Sequence, residues 1–182
     1  NITAKALTVS GITASTKTYD GTTTASMDGT SAVYSGLVSG DTFNGTYTGA
    51  FSDKNVGTGK TVTITSSYSG ADINNYSVTD QSSTTANITA KSLTVSGITA
   101  SDKIYDGSTS ATLTGTAVYS GLVTGDTFGG TYTGVFSDAN VGTGKTVNIT
   151  PSYIGADVNN YSVTDQSTTT ANITAKALTA TA

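Results

Sequence analysis

The feature that most constrains this chain is its own near-copy. The stretch Asn1 to Ser15 returns at Asn87 to Ser101 with one change, Ala6 to Ser92. Tyr19-Asp20-Gly21 returns as Tyr105-Asp106-Gly107. Ser31 has no counterpart, so the offset falls from 86 residues to 85, and Asp41-Thr42-Phe43 aligns with Asp126-Thr127-Phe128. The same frame opens a third time at Asn172, and about four-fifths of the aligned positions are identical. Solenoid coils repeat at shorter periods, and no shorter period is present, so each repeat should be a module with its own core. The chain is therefore expected to be a section of a longer array.

Alternation sets the boundaries. Ile88 and Ala90 share one strand face, whereas Leu93 and Val95 have the opposite parity, and a one-residue phase change moves side chains to the other face. Lys91 therefore marks the junction. This reading gives a tail of a preceding repeat at 1–4, modules at 5–90 and 91–175, and the start of a third repeat at 176–182. Each module has roughly 85 residues, above the size at which a core needs disulfides or metals. Candidate strands are Leu7–Ile12, Thr18–Tyr19, Ala32–Val38, Thr42–Phe51, Thr61–Tyr68, Tyr76–Thr79 and Thr84–Ala90, most of them separated by glycine-containing turns. Seven short strands at this spacing predict an all-β fold, two small immunoglobulin-like sandwiches placed end to end. The alternative is a β-grasp-like module, with Ser35–Asp41 forming one short helical turn. Strands of about 8–10 residues predict a rod of roughly 70–90 Å for the pair.

Composition narrows the chemistry. The chain carries 40 Thr and 23 Ser, its 12 acids are all Asp, its 8 bases are all Lys, and Glu, Arg, His, Cys and Trp are missing. Cys/His zinc sites, thiol catalysis, histidine base chemistry and bidentate arginine recognition are excluded on residue type alone. A net charge of −4 without a basic cluster argues against nucleic acid and anionic membranes as partners. No apolar run approaches the roughly 20 residues that span a bilayer, and no signal-peptide pattern opens the chain. Lack of cysteine is compatible with an oxidising compartment. The threonines and alternating apolar residues favour strands over a disordered linker.

Few residues are left as candidate sites. The aromatic set Tyr19, Tyr34, Phe43, Tyr47, Phe51, Tyr68 and Tyr76 recurs in register as Tyr105, Tyr119, Phe128, Tyr132, Phe136, Tyr153 and Tyr161. Such a set is either a carbohydrate-stacking platform or, in a chain without Trp, the core itself, and the core is the favoured reading. Asp53, Asn55 and Asp72 recur as Asp138, Asn140 and Asp157, oxygen donors of the kind calcium takes; turn shaping explains the same residues, and no cofactor is expected. The recurring lysines fit edge protection better than a Lys–Asn crosslink. Asp20-Gly21 and Asp106-Gly107 read as turns, with Tyr19 and Tyr105 buried beside them. Nucleophilic catalysis would need an activated Ser or Thr with only lysine as base, so no enzyme is expected.

The ordered motifs Lys17-Thr-Tyr-Asp-Gly21, Gly40-Asp41 with Phe43, Phe51-Ser-Asp-Lys-Asn-Val-Gly-Thr-Gly-Lys60, Gly70-Ala-Asp72 with Asn75-Tyr76, and Thr85-Ala-Asn-Ile88-Thr resemble the YDG repeat, named for its Tyr-Asp-Gly triplet. The resemblance covers both modules nearly end to end. It implies a secreted or cell-surface bacterial adhesin of the filamentous-haemagglutinin-type secreted class, with these repeats as stalk modules behind an adhesive head. Partners would be neighbouring repeats of the same chain, with host glycans or proteins met through other domains. Repeated carbohydrate- or protein-binding modules acting by avidity are the alternative. The pair is expected to be a monomer.

Overall fold

A computed structural model of the chain describes residues 1–180; positions 181–182 of the expected third-repeat start lie outside the described residues. By its internal contacts the chain forms two compact units, Asn1–Ala90 and Lys91–Ala182. Both are all-β, and no helix among the described residues is long and apolar enough to cross a membrane.

In the first unit the strands are β1 (Lys5–Ser10), β2 (Thr13–Ala14), β3 (Lys17–Thr18), β4 (Thr24–Ala25), β5 (Met27–Asp28), β6 (Val33–Ser35), β7 (Asn44–Phe51), β8 (Gly57–Ser69), β9 (Tyr76–Thr79) and β10 (Ser83–Thr89), with one 3₁₀ turn at Ile73–Asn75. They form a three-stranded sheet ordered β6-β1-β9, a five-stranded sheet ordered β3-β10-β8-β7-β4, and a β2-β5 pair. The second unit repeats the plan with β11 (Lys91–Ser96), β12 (Thr99–Ala100), β13 (Lys103–Ile104), β14 (Ser110–Ala111), β15 (Leu113–Thr114), β16 (Val118–Ser120), β17 (Gly129–Phe136), β18 (Gly142–Ile154), β19 (Tyr161–Thr164) and β20 (Thr168–Thr174). Ala90 alone separates β10 from β11.

The long hairpin follows from period-two patterning. Val62 and Ile64 of β8 point inward among exposed threonines, and Phe51 stands opposite Val62 in register. β1 contributes Leu7 and Val9, which pack with Ile12, Phe43, Ile64 and Tyr76 into one buried cluster. Tryptophan is not needed because Phe43 holds Tyr34, Tyr68 and Tyr76 around it at ring-centroid separations of 5.2, 4.9 and 6.0 Å. Phe128 repeats the arrangement with Tyr119, Tyr153 and Tyr161. Gly45 is required by this packing: a Cβ there would sit 2.2 Å from the Tyr47 hydroxyl.

Two features depart from the sequence reading. An immunoglobulin-like sandwich is antiparallel, yet each unit here contains two parallel pairings, β1 with β9 and β3 with β10 in the first. The first and last parts of each repeat are thereby joined directly, and the pairing differs from an immunoglobulin order. Nor does Ser35–Asp41 make the helical turn of the β-grasp alternative. It makes two successive tight turns, closed by Leu37 N–H to Tyr34 C=O at 3.3 Å and Asp41 N–H to Val38 C=O at 3.1 Å.

One residue type escaped notice in the sequence. β1 ends at Ser10 because Gly11 turns the chain at φ +81°. Ile12 is then buried without a strand partner, and the Gln81 side chain supplies one. Its Oε1 accepts from Ile12 N–H at 3.0 Å while its Nε2 donates to Ile12 C=O at 2.7 Å. Gln166 does the same for Ile98. The carboxamide imitates a peptide group of the missing strand, satisfying a buried donor and acceptor together.

Candidate functional site

The Tyr-Asp-Gly turn joins β3 to β4, and these are the two edges of the five-stranded sheet. Gly21 provides the left-handed conformation, φ +79°, and Gly107 repeats it at +78°. The Asp20 carboxylate turns back to accept from Thr22 N–H and from the Thr22 hydroxyl, both at 2.9 Å. Lys17 completes the turn. Its ammonium lies 2.7 Å from Asp20 Oδ1 and donates to Thr22 C=O, Thr22 Oγ1 and Thr24 C=O at 2.9, 3.0 and 3.1 Å. Its charge also stands 5.8 Å from the Phe51 ring centroid. Lys17 belongs to β3 and Thr24 to β4, so one side chain spans the sheet's two edges. Lys103 repeats every element: Asp106 at 2.8 Å, Ser108 C=O at 2.8 Å, Ser110 C=O at 3.1 Å and the Phe136 ring at 5.7 Å. With 16% of its side chain exposed, Lys17 is neither a solvated edge lysine nor positioned on an asparagine.

The electrostatics follow the geometry. Lys103, then the Ser108 N–H and hydroxyl, hold the Asp106 carboxyl down at about 2. At Asp20, desolvation pushes upward, but Lys17 and Thr22 together outweigh it and the pKa is lowered. Lys60 lowers Asp53, and Lys145 lowers Asp138, each assisted by a backbone N–H, from Asn55 and Asn140 respectively.

These contacts also account for the calcium candidates. Asp53 carries the Lys60 ammonium on both oxygens at 2.7 Å and the Asn55 N–H on Oδ1 at 2.8 Å. Asp138 Oδ1 accepts from the Lys145 ammonium at 2.6 Å and from Asn140 N–H at 2.8 Å. Asp72 and Asp157 each accept a distant backbone N–H, from Thr42 and Thr127, at 2.8 Å. Among the described residues no group of three acidic side chains comes together.

The tyrosine hydroxyls of the core end in matching networks. Tyr34 and Tyr47 share a hydrogen bond of 3.0 Å, Tyr68 donates to Asp80, and Tyr76 donates to Asp41 while accepting from Val38 N–H at 3.0 Å. Burial first, then the Asp80 contact, pushes the Tyr68 phenol up to about 12. Burial first, then Tyr34, raises Tyr47 as well. In these positions the rings are packing and bonding groups.

The triplet's two copies differ in one respect. Tyr19 is buried, with 1% of its surface exposed, but Tyr105 is 41% exposed. The expected burial of Tyr105 is therefore corrected. Lys54 lies over the Tyr19 ring, 5.9 Å from its centroid, and the corresponding residue in the second repeat is Ala139. The loss of that recurring lysine is visible in the sequence, but its ring partner is not.

Two outcomes follow. Tyr19→Ala should cost about 3–5 kcal/mol in chemical unfolding, as for other buried aromatics, and Tyr105→Ala at most about half of that because part of its ring is already wet. The depressed aspartates also fix a pH response. A carboxylate whose pKa is lower in the folded chain stabilises it above the unfolded value, about 3.9, and that contribution disappears as pH falls through the folded value. Stability should thus decline from about pH 4 toward about pH 2, and Asp106→Asn should make thermal unfolding of the second unit less acid-dependent over that interval while lowering it at neutral pH.

The family model of the YDG domain matches residues 3–86 and again 89–179. Comparison with curated proteins and with solved structures gives no match. With both matches together spanning nearly the whole sequence, this chain belongs to the YDG domain family and contains two such domains in tandem.

Proposed function

We propose that the two domains are extender repeats of a bacterial cell-surface adhesin, a non-catalytic stalk that holds an adhesive domain away from the cell. One observation carries this reading: the recurring residues that make the clasps, ring clusters and strand completions bond within their own domain. Lys17 and Asp20 clasp a turn, Tyr34, Tyr68 and Tyr76 surround Phe43, and Gln81 completes a strand. The second domain repeats these bonds with its own residues. A ligand site maintained through repetition would instead present recurring side chains outward. Repeated units with the same internal bonding suit a spacer, because the number of repeats then sets reach. Ala90 is the only residue between the last strand of one domain and the first of the next, which leaves little chain for a flexible linker. Secretion, surface location and partnership with neighbouring repeats belong to the same proposal.

Small-angle scattering on chains of two, four and six repeats tests it. The maximum dimension should grow in proportion to repeat number for monomeric chains. A dimension that levels off with added repeats would remove the stalk reading.

A further inference from the structure

Of the 11 asparagines in the chain, Asn44 alone is followed by glycine. That pair is the one most open to cyclisation, because a glycine amide has no side chain to hinder its attack on the preceding carboxamide. Packing imposes the glycine. A Cβ on Gly45 would meet the Tyr47 hydroxyl at 2.2 Å and the Tyr34 hydroxyl at 2.8 Å. Packing does not impose the asparagine, whose side chain is exposed at the start of β7. The second domain builds the same hairpin with Gly129 at that position. Two contacts restrain the pair in the folded chain. Asn44 stands opposite Ser69 in the β7–β8 register, and Gly45 N–H donates to the Tyr34 hydroxyl at 3.1 Å. A phenol oxygen is too weak a base to take an amide proton, so this bond holds the nitrogen in the strand rather than activating it.

We propose that Asn44 is a site of spontaneous deamidation in the first domain, held in check by the Tyr34 hydroxyl. When this end of β7 opens, the Gly45 nitrogen attacks Asn44 Cγ. An N–Cγ bond forms, the Gly45 amide proton passes to solvent, and the side-chain nitrogen leaves as ammonia, closing a succinimide ring. Water then adds to one of the two ring carbonyls, and opening gives aspartate or isoaspartate. Water is the only co-reactant. In the isoaspartate the main chain runs through the former side chain, so β7 gains one methylene where it faces Ser69, together with a negative charge. Asp20, Asp28 and Asp106 also precede glycine. They are poorer electrophiles, because hydrogen bonds to each carboxyl lower its pKa and a carboxylate resists attack by an amide nitrogen.

This inference is independent of the stalk proposal. The intact two-domain chain is incubated at neutral pH, folded and in urea. Amide-to-acid conversion is followed by peptide mass spectrometry, and isoaspartate by enzymatic methylation. Conversion should concentrate at Asn44 and run more slowly in the folded chain than in urea, because closure of the strand limits access to the reactive geometry. Tyr34→Phe should speed the folded reaction about threefold to tenfold, the effect of losing one hydrogen bond. Tyr47→Phe removes the hydroxyl that meets Tyr34 at 3.0 Å but leaves the Gly45 contact, and its rate should match the natural chain. Equal rates for the natural chain folded and in urea would overturn the proposal, a comparison that needs no variant to fold. So would the absence of conversion at Asn44 in urea, or equal acceleration by Tyr34→Phe and Tyr47→Phe, which would mark general loosening of the core.

Discussion

A single buried-side ammonium holds together what the topology leaves apart. The five-stranded sheet of each domain has β3 and β4 as its edges, and unpaired edges are an invitation to pair with other chains. Lys17 sits on one edge and donates to a carbonyl of the other, with Asp20 and Thr22 filling the remaining space around its charge. A lysine is suited to this because its three donors can be shared among several oxygens around one point. The Tyr-Asp-Gly triplet is then the surround of that charge. Glycine allows the turn, aspartate neutralises the ammonium, and tyrosine extends the β3 pairing through its N–H to Thr89 C=O at 2.8 Å. Removing the lysine would leave an edge carbonyl, a carboxylate and a ring without their common partner.

The same economy governs the core. A chain in which about a third of the residues carry hydroxyls has few large apolar groups, so tyrosines must serve as core and keep their hydroxyls bonded. Tyr34 and Tyr47 bond each other, while Tyr68 and Tyr76 reach aspartates. Aspartates at loop ends therefore have a structural task that a reading based on metal ligands assigns elsewhere. Lys17, Asp20, Asp53, Asp72 and Gln81 are each tied to backbone or to another recurring residue, as are their counterparts in the second domain.

The sequence made local structure readable and long-range pairing obscure. Tyr76–Thr79 was delimited as the structure has it, and the β7–β8 hairpin came within a few residues because its alternation is long enough to show a period. β2, β4 and β5 span two residues each, too few for any period. The parallel pairings join positions about seventy residues apart, such as Lys17 and Ile88, and nothing in either segment marks the other as its partner. That is why an antiparallel sandwich was the natural expectation. Asp20 in its turn was legible from Asp-Gly alone. Lys17 as the clasp, Gln81 as a substitute strand and Lys54 over the Tyr19 ring were not, because each depends on a neighbour brought close only by folding.

The clasp is tested most directly by amide hydrogen exchange on the intact chain carrying Lys103→Met, which keeps an apolar stem beside Phe136 while removing the ammonium. Two amides report on the sheet edges of the second domain: Tyr105 N–H, bonded to Thr174 C=O, and Phe136 N–H, bonded to Thr109 C=O, each at 2.8 Å. Exchange protection measures the local free energy of opening. The account predicts that both amides lose protection in the variant while Tyr19 and Phe51, their counterparts in the unaltered first domain, keep it. Protection at Tyr105 and Phe136 that matches the natural chain would contradict the claim that the lysine closes the sheet.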